Sequence, residues 1–251
     1  MEISVRWLQE WVDVGPDVSL LAEDLTLAGL EVSARREITP LSSKIVVGKI
    51  VECDPHPSKK ALRICNVAVG RTRVARIVCG APNARVGVKA AVALPGSTLP
   101  NGEKVRRMSI SGEMSGGVLC SGSEIGLEES SAGILEFDET AAVGQAVTDY
   151  LDLEDTVLDI ELTPNRGDCL SALGVAREIA AIRGKPLRKV KFSNRRAATS
   201  IRIPLSVTAP VDAPRYVGRV IERLDANRTT PDWMKERLRR SGLRSLGSIV
   251  D

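Results

Sequence analysis

The chain has 251 residues, enough at roughly 150 per domain for one large domain or, on this reading, two. Hydrophobic residues make up 43% and charged residues 27%, too apolar for a disordered chain, and no apolar run reaches the ~18 residues of a membrane helix. The formal charge is +3 but the signs are segregated: Lys44–Arg107 carries 13 Lys/Arg against three acids, Met108–Asp155 has 11 Asp/Glu and no Lys or Arg, and Arg183–Asp251 has 17 basic residues against six acidic.

The opening MEISVRWLQEWVD is acidic and amphipathic, unlike a signal peptide, and reads as a short helix over residues 4–12 capped by Ser4. A second helix starts at Ser19, carries Leu21, Leu25 and Ala28 on one face, and stops at Gly29. Thr39–Ser43 reads as a boundary, because the pattern changes after it. From Lys44 to Gly126 the pattern is β-rich: KIVVGKIVE, LRICNVAV, RVARIVC, VKAAVAL and VRRMSIS, punctuated by Gly70, Gly80, Gly87, Pro95-Gly96 and the hairpin signal Asn101-Gly102. Five strands at this spacing predict a small closed barrel of the OB type, with a sandwich open on pattern alone. After Asp168, Val175, Ile179 and Ile182 recur at helical spacing, and Arg183, Gly184 and Pro186 close that helix. Lys189–Ser200 reads as a basic linker. Ile201, Ile203, Leu205 and Val207 alternate with Arg202, Pro204, Ser206 and Thr208, which predicts a half-buried edge strand, with a second strand around Tyr216–Glu222. Thr230-Pro231-Asp232 opens a last helix, with Thr230 as its cap and Pro231 at the first helical position, that runs to Gly242.

Much chemistry is excluded by composition. One histidine, His56, rules out His triads and two-His zinc sites. Cys53-Asp54-Pro55-His56 with Cys65 nearby is either half a zinc site or a rigid proline loop between buried thiols, and the second reading is preferred. Five cysteines without a C-x-x-C pair suit a reduced, cytoplasmic protein. Neither common phosphate-binding glycine loop occurs. Acid pairs such as Glu128-Glu129 lack the apolar setting of a glycosidase dyad. Three Trp, two Tyr and two Phe argue against recognition by base stacking on many rings. The residues alone describe a binding or scaffolding module whose charge segregation suits a polyanion on the basic segments.

Taken in order, SVRWLQEWVD, LTLAGLEV, VVGKIVECDPHPSKKALRICNVAVG, IVCGAPN, KAAVALPGSTLPNGEKV, MSGGVLCSGSEIGL, DIELTPNRGDCLSALGVAREIAA, PRYVGRVIERL and TPDWMKERLRRSGLRSLGSIVD resemble the N-terminal part of bacterial phenylalanyl-tRNA synthetase β subunits. The central segments are similar to the tRNA-binding OB-fold shared with methionyl-tRNA synthetase tails and the endothelial monocyte-activating polypeptide. The resemblance implies an α+β multidomain chain. A discontinuous module (1–39 and 152–190) would carry the inserted OB barrel (40–151), followed by a linker and the incomplete start of a further β/α module (191–251). It implies a part in phenylalanine–tRNA ligase, an α2β2 enzyme that uses ATP and magnesium. Chemistry would lie on the α subunit, while the β subunit adds tRNA contacts, support and hydrolytic editing. No catalytic or metal residue is carried over, because the family's editing, helix-turn-helix-like and anticodon-binding parts have no counterpart before Asp251. The loop after His56-Pro57 departs from the family's usual Asn-Ala-Asp-Lys-Leu, reading Ser58-Lys59-Lys60-Ala61-Leu62.

OB-folds hold nucleic acid on one face and its loops. The candidate RNA contacts are therefore Lys59, Lys60 and Arg63 after strand one, Arg85 after IVCGAPN, and Lys104, Arg106 and Arg107 after the Asn101-Gly102 turn. Two other readings stay open: a free-standing tRNA-binding OB protein, and a structural module whose barrel docks protein.

Overall fold

Ser4 both ends a strand and opens a helix. In the computed structural model, which describes residues 1–189 and 196–251, β1 (Glu2–Ser4) leads into α1 (Val5–Gln9), then α2 (Val18–Leu27) and β2 (Glu31–Ile38). Ser4 Oγ accepts the Trp7 amide at 3.0 Å, and Asp17 accepts those of Ser19 and Leu20 at 2.8 and 3.2 Å, satisfying otherwise unpaired first-turn donors. The helix predicted over 4–12 is regular only to Gln9. Gly29 ends the second one in the left-handed region, φ +87°.

Next come β3 (Ile45–Pro55), β4 (Arg63–Ala68), β5 (Val74–Cys79), β6 (Lys89–Ala93), β7 (Met108–Ile110), β8 (Glu113–Ser115), β9 (Val118–Leu119), β10 (Glu136–Phe137) and α3 (Val147–Leu151). The first half of β3 pairs with β6, Ile45↔Ala93 to Lys49↔Lys89, and the second half with β4, up to Pro55↔Arg63. β4 continues the ladder into β5, Arg63↔Cys79 to Ala68↔Val74. β9 and β10 both pair with β6. The ring nearly closes where the Gly116 amide donates to Arg76 O at 2.7 Å and the Val78 amide to Ser115 Oγ at 3.1 Å. At Gly48, where β3 passes from one partner to the other, a Cβ would lie 2.5 Å from Val92 Cγ2 and 2.7 Å from Val67 Cγ1. Only glycine fits that crossing.

The runs IVVGKIV and KAAVA are apolar without strict alternation because β3 and β6 are covered on both faces. Val46, Ile50, Val67, Ile77 and Val92 fill the barrel; Ile45, Val47, Ala91 and Ala93 face a second core with Leu99, Ile125, Val147 and Leu153. One expected barrel strand differs. Of VRRMSIS only Met108–Ile110 is extended, and it pairs with β8 in a separate hairpin, so β9 and β10 take the positions on β6. Both are two residues long, too short for periodicity to register.

β11 (Asp155–Glu161) returns the chain to the first elements and lies between β1 and β2, Ile3↔Leu158 and Arg36↔Val157 among the pairs. α4 (Ala172–Arg183) then packs its Val175 and Ile179 into one core with Ile3, Leu8, Leu21, Leu25, Leu158 and Ile160. Residues before the barrel and after it thus share one sheet and one core. Gly184 closes α4 at φ +59° as its sequence predicts, whereas Ile182 stays exposed. Part of the basic linker expected at Lys189–Ser200 lies outside the described residues.

The alternating segment Ile201–Val207 forms no strand, nor does Tyr216–Glu222, and their apolar side chains are exposed apart from the half-buried Val220. Alternation states only that one face could be covered, and among the described residues no strand pairs with either segment. α5 (Asp232–Arg240) forms as expected, but Pro231 precedes its first turn, and the Thr230 hydroxyl donates to Asp251 at 2.6 Å instead of capping the helix. Among the described residues no helix is long and apolar enough to cross a membrane.

Candidate nucleic-acid interface

The β3–β4 connection, residues 56–62, is held from below. The His56 amide donates to Leu62 O at 3.1 Å and the Leu62 amide to Lys59 O at 3.0 Å, while the His56 ring is buried and its Nδ1 accepts the Ser58 amide at 3.2 Å. Pro55 and Pro57 restrict the chain on either side of that anchor. Lys59 and Lys60 are consequently exposed at the tip, and Arg63 is exposed at the start of β4. Among the described residues these three cations make no ion pair.

The other four candidates lie elsewhere. Arg85 grips Glu136 with both forks, at 2.7 and 2.8 Å, and Asn83 Nδ2 donates to the same carboxylate at 2.9 Å. This bond to Arg85 holds the Glu136 carboxyl below its usual range, and the same pairing raises Arg85. Arg85 thus ties the β5–β6 connection to β10. Lys104 sits in the tight turn around Gly102, where the Leu99 amide donates to Glu103 O at 2.9 Å, and Arg106 and Arg107 precede β7, all three exposed and unpaired among the described residues. The set is therefore not one patch by register. Three cations share a single hairpin, three lie on the connection into β7, and one is already engaged. Sequence reading did not single out Arg71 and Arg73, exposed at the β4–β5 turn, although their charge was visible in the count.

The acidic half has a different fate. Asp152 pairs with Arg6, and the buried Asp155 receives Arg240 Nη1 at 2.8 Å, Ser4 Oγ at 2.5 Å and the Arg6 amide at 3.0 Å. Arg240 Nη2 also donates to Leu151 O at 2.7 Å and Asp152 O at 2.9 Å. The Tyr150 hydroxyl bridges Asp232 at 2.7 Å and Asp138 at 2.9 Å. Arg237 lies between the Trp7 and Trp233 rings, 5.1 and 5.2 Å from their centroids, and also pairs with Glu10. Around these groups is a cleft of about 390 Å³. They join α5 to the barrel and to the first sheet. They include no nucleophile–base pair.

In TPNRGDCL, Arg166 donates to Asp168 at 3.3 and 3.4 Å, pairs with Glu178 at 2.9 Å and approaches Cys169 Sγ at 3.1 Å. Donor atoms of Asp168, Cys169 and Glu178 lie within 4.8 Å of one another, and the cation they share is the guanidinium. A Cβ on Gly174 would meet Asp168 O at 2.0 Å, so glycine lets α4 press against this turn.

The family model described as "Putative tRNA binding domain" matches residues 45–146, and one described as "B3/4 domain" matches 212–251. Over all 251 residues the chain is 46% identical to a protein named phenylalanine–tRNA ligase beta subunit from Methylococcus capsulatus, and 42% to one of that name from Pectobacterium atrosepticum. Over 253 aligned positions it is 43% identical to one from Idiomarina loihiensis. The chain spans 32% of the length of each of these relatives.

Proposed function

We propose that this chain, similar from end to end to phenylalanine–tRNA ligase β subunits, supplies tRNA contacts and subunit scaffolding to the ATP- and magnesium-dependent charging of tRNA(Phe) in the cytoplasm. Its partners would be tRNA(Phe) and the catalytic α subunit of an α2β2 heterotetramer, with no catalytic residue on this chain. The observation that carries the reading is the exposed cationic hairpin, Lys59, Lys60 and Arg63, unpaired among the described residues and inside the segment that matches the tRNA-binding family.

The mode of binding follows from what surrounds those cations. Phe137 is the only Phe, Tyr or Trp between residues 45 and 146, and its ring packs edge-on against Tyr150 at 5.3 Å. No ring on the barrel is free to stack a base. Recognition would therefore run through phosphates and the shape of a folded tRNA. Lys104, Arg106 and Arg107 would add contacts on a second connection, while Arg85 would serve the barrel before it serves RNA. Changing Lys59, Lys60 and Arg63 together to Glu should weaken tRNA binding. It should also flatten the slope of log affinity against log salt by roughly 2–3, at about 0.7–0.9 per phosphate. An unchanged slope with the fold intact would remove these residues from the RNA interface and favour a barrel that docks protein.

A further inference from the structure

The same hairpin carries two thiols that the RNA reading does not use. The register shift between Ile50 and Glu52 leaves Val51 and Glu52 exposed and turns Cys53 toward the barrel core. Cys53 is then directly opposite Cys65, with the two sulfurs 3.6 Å apart. Directly opposed residues on antiparallel strands have Cα atoms about 4.5–5.5 Å apart, within the span of a disulfide. Cys79 joins the same core, but its register partner is Arg63, and Cys120 and Cys169 belong to the two other cores.

We propose that Cys53 and Cys65 are a redox-sensitive pair that closes to a reversible disulfide, with a small disulfide such as oxidised glutathione as the oxidant. Cys53 is half-buried and Cys65 fully buried, so the oxidant reaches Cys53 first. The Cys53 thiolate attacks one glutathione sulfur, forming a mixed disulfide and releasing one glutathione. Cys65 then gives up its proton to solvent, attacks the Cys53 sulfur and expels the second glutathione. Two protons and two electrons leave the protein, and the oxidant is reduced to two thiols. Burial, with the Cys53 and Cys79 thiols beside it, pushes the Cys65 thiol up, while Arg63 pulls it down, so closure is favoured by alkaline pH. Attack of a small thiol on the bridge reverses both steps, so the disulfide reopens under reducing conditions. Its consequence is mechanical: it ties the base of the hairpin whose tip carries Lys59 and Lys60.

Closure of the bridge does not require RNA binding and is read in the absence of RNA. The full chain is incubated with oxidised glutathione near pH 8.5, about the ordinary thiol pKa, then alkylated and mapped by mass spectrometry. Two of the five free thiols should be lost, with the chain lighter by two hydrogens, no glutathione retained, and the peptides holding Cys53 and Cys65 joined. Cys65→Ser should stop at a glutathione adduct on Cys53, and Cys79→Ser should still form the bridge. Hydrogen exchange at Ser58 and Leu62 should slow in the oxidised chain. Should Cys65→Ser fail to fold, the wild-type peptide map alone decides. Glutathione kept on Cys53 of the wild-type chain, a bridge to Cys79, or five thiols still alkylated would each overturn the proposal.

Discussion

Two basic regions of this chain have opposite fates. On α5, Lys235, Arg237, Arg239 and Arg240 all have carboxylates against them, and Arg240 is buried beside Asp155. On the β3–β4 hairpin, Lys59, Lys60 and Arg63 have none among the described residues and face solvent. By charge count both regions are basic, so a count does not distinguish cations that hold a fold together from those available to a partner. Half of that pairing is local, Lys235 with Asp232 and Arg239 with Glu236 one turn away on the helix, whereas the fold brings Glu10 to Arg237 and Asp155 to Arg240 from distant parts of the chain.

The comparison is broken most forcefully at Arg240. Arg240→Ala leaves Asp155 buried without its cation and should cost about 3–5 kcal/mol in chemical denaturation. The loss from Arg240→Ala together with Asp155→Ala should be smaller than the sum of the two single changes; a fully additive cycle would mean that the pair does not act as a unit. Next in size is Tyr150→Phe, which removes the donor between Asp138 and Asp232 and should cost about 1–3 kcal/mol, with faster hydrogen exchange in α5 before the barrel responds. Arg237→Ala removes one cation from between two indoles at a half-exposed site, and thermal melting should register about 0.5–1 kcal/mol. By contrast, changing Lys59 and Lys60 to Ala should move stability by less than about 0.5 kcal/mol. A larger loss would place the hairpin cations with those of α5.

The smallest effect belongs to Arg85 and Glu136. The Glu136 carboxyl is held below its ordinary value of 4.5, so its contribution is present above that pH and is lost as the pH falls through the lowered value. Arg85→Gln should therefore cost its small increment at neutral pH, and the difference from the parent chain should vanish as the pH falls below about 4.5, which flattens the acid limb of the stability–pH curve. An acid limb that does not change would mean that the fork observed at 2.7 and 2.8 Å contributes nothing in solution.

Much of the architecture was legible in residue order. Barrel strands β3 to β6 coincide with the apolar runs, and α4 shows its core spacing and its Gly184 stop. The failures share one cause. Ile201–Val207 alternates as cleanly as any strand, yet alternation is a local property and a strand is a paired one. β9 and β10 show the converse: nothing local marks two-residue strands, and they exist because β6 has an open edge beside them. At the candidate site, the position of Lys59 and Lys60 in the connection after the first barrel strand was readable from the break at Pro55-His56-Pro57. That Arg85 is engaged was not, because Glu136 lies 51 residues further along.

Residue order by itself determined the local elements, the clustering of charge and the family resemblance, since propensity, periodicity and motif spacing depend on near neighbours. Which cations remain available to a polyanion, how residues before and after the barrel share one core, and which thiols meet across β3 and β4 are pair properties of residues far apart in the chain. They arise only when a bulge, a register and a glycine crossing bring those residues within a few ångströms of each other.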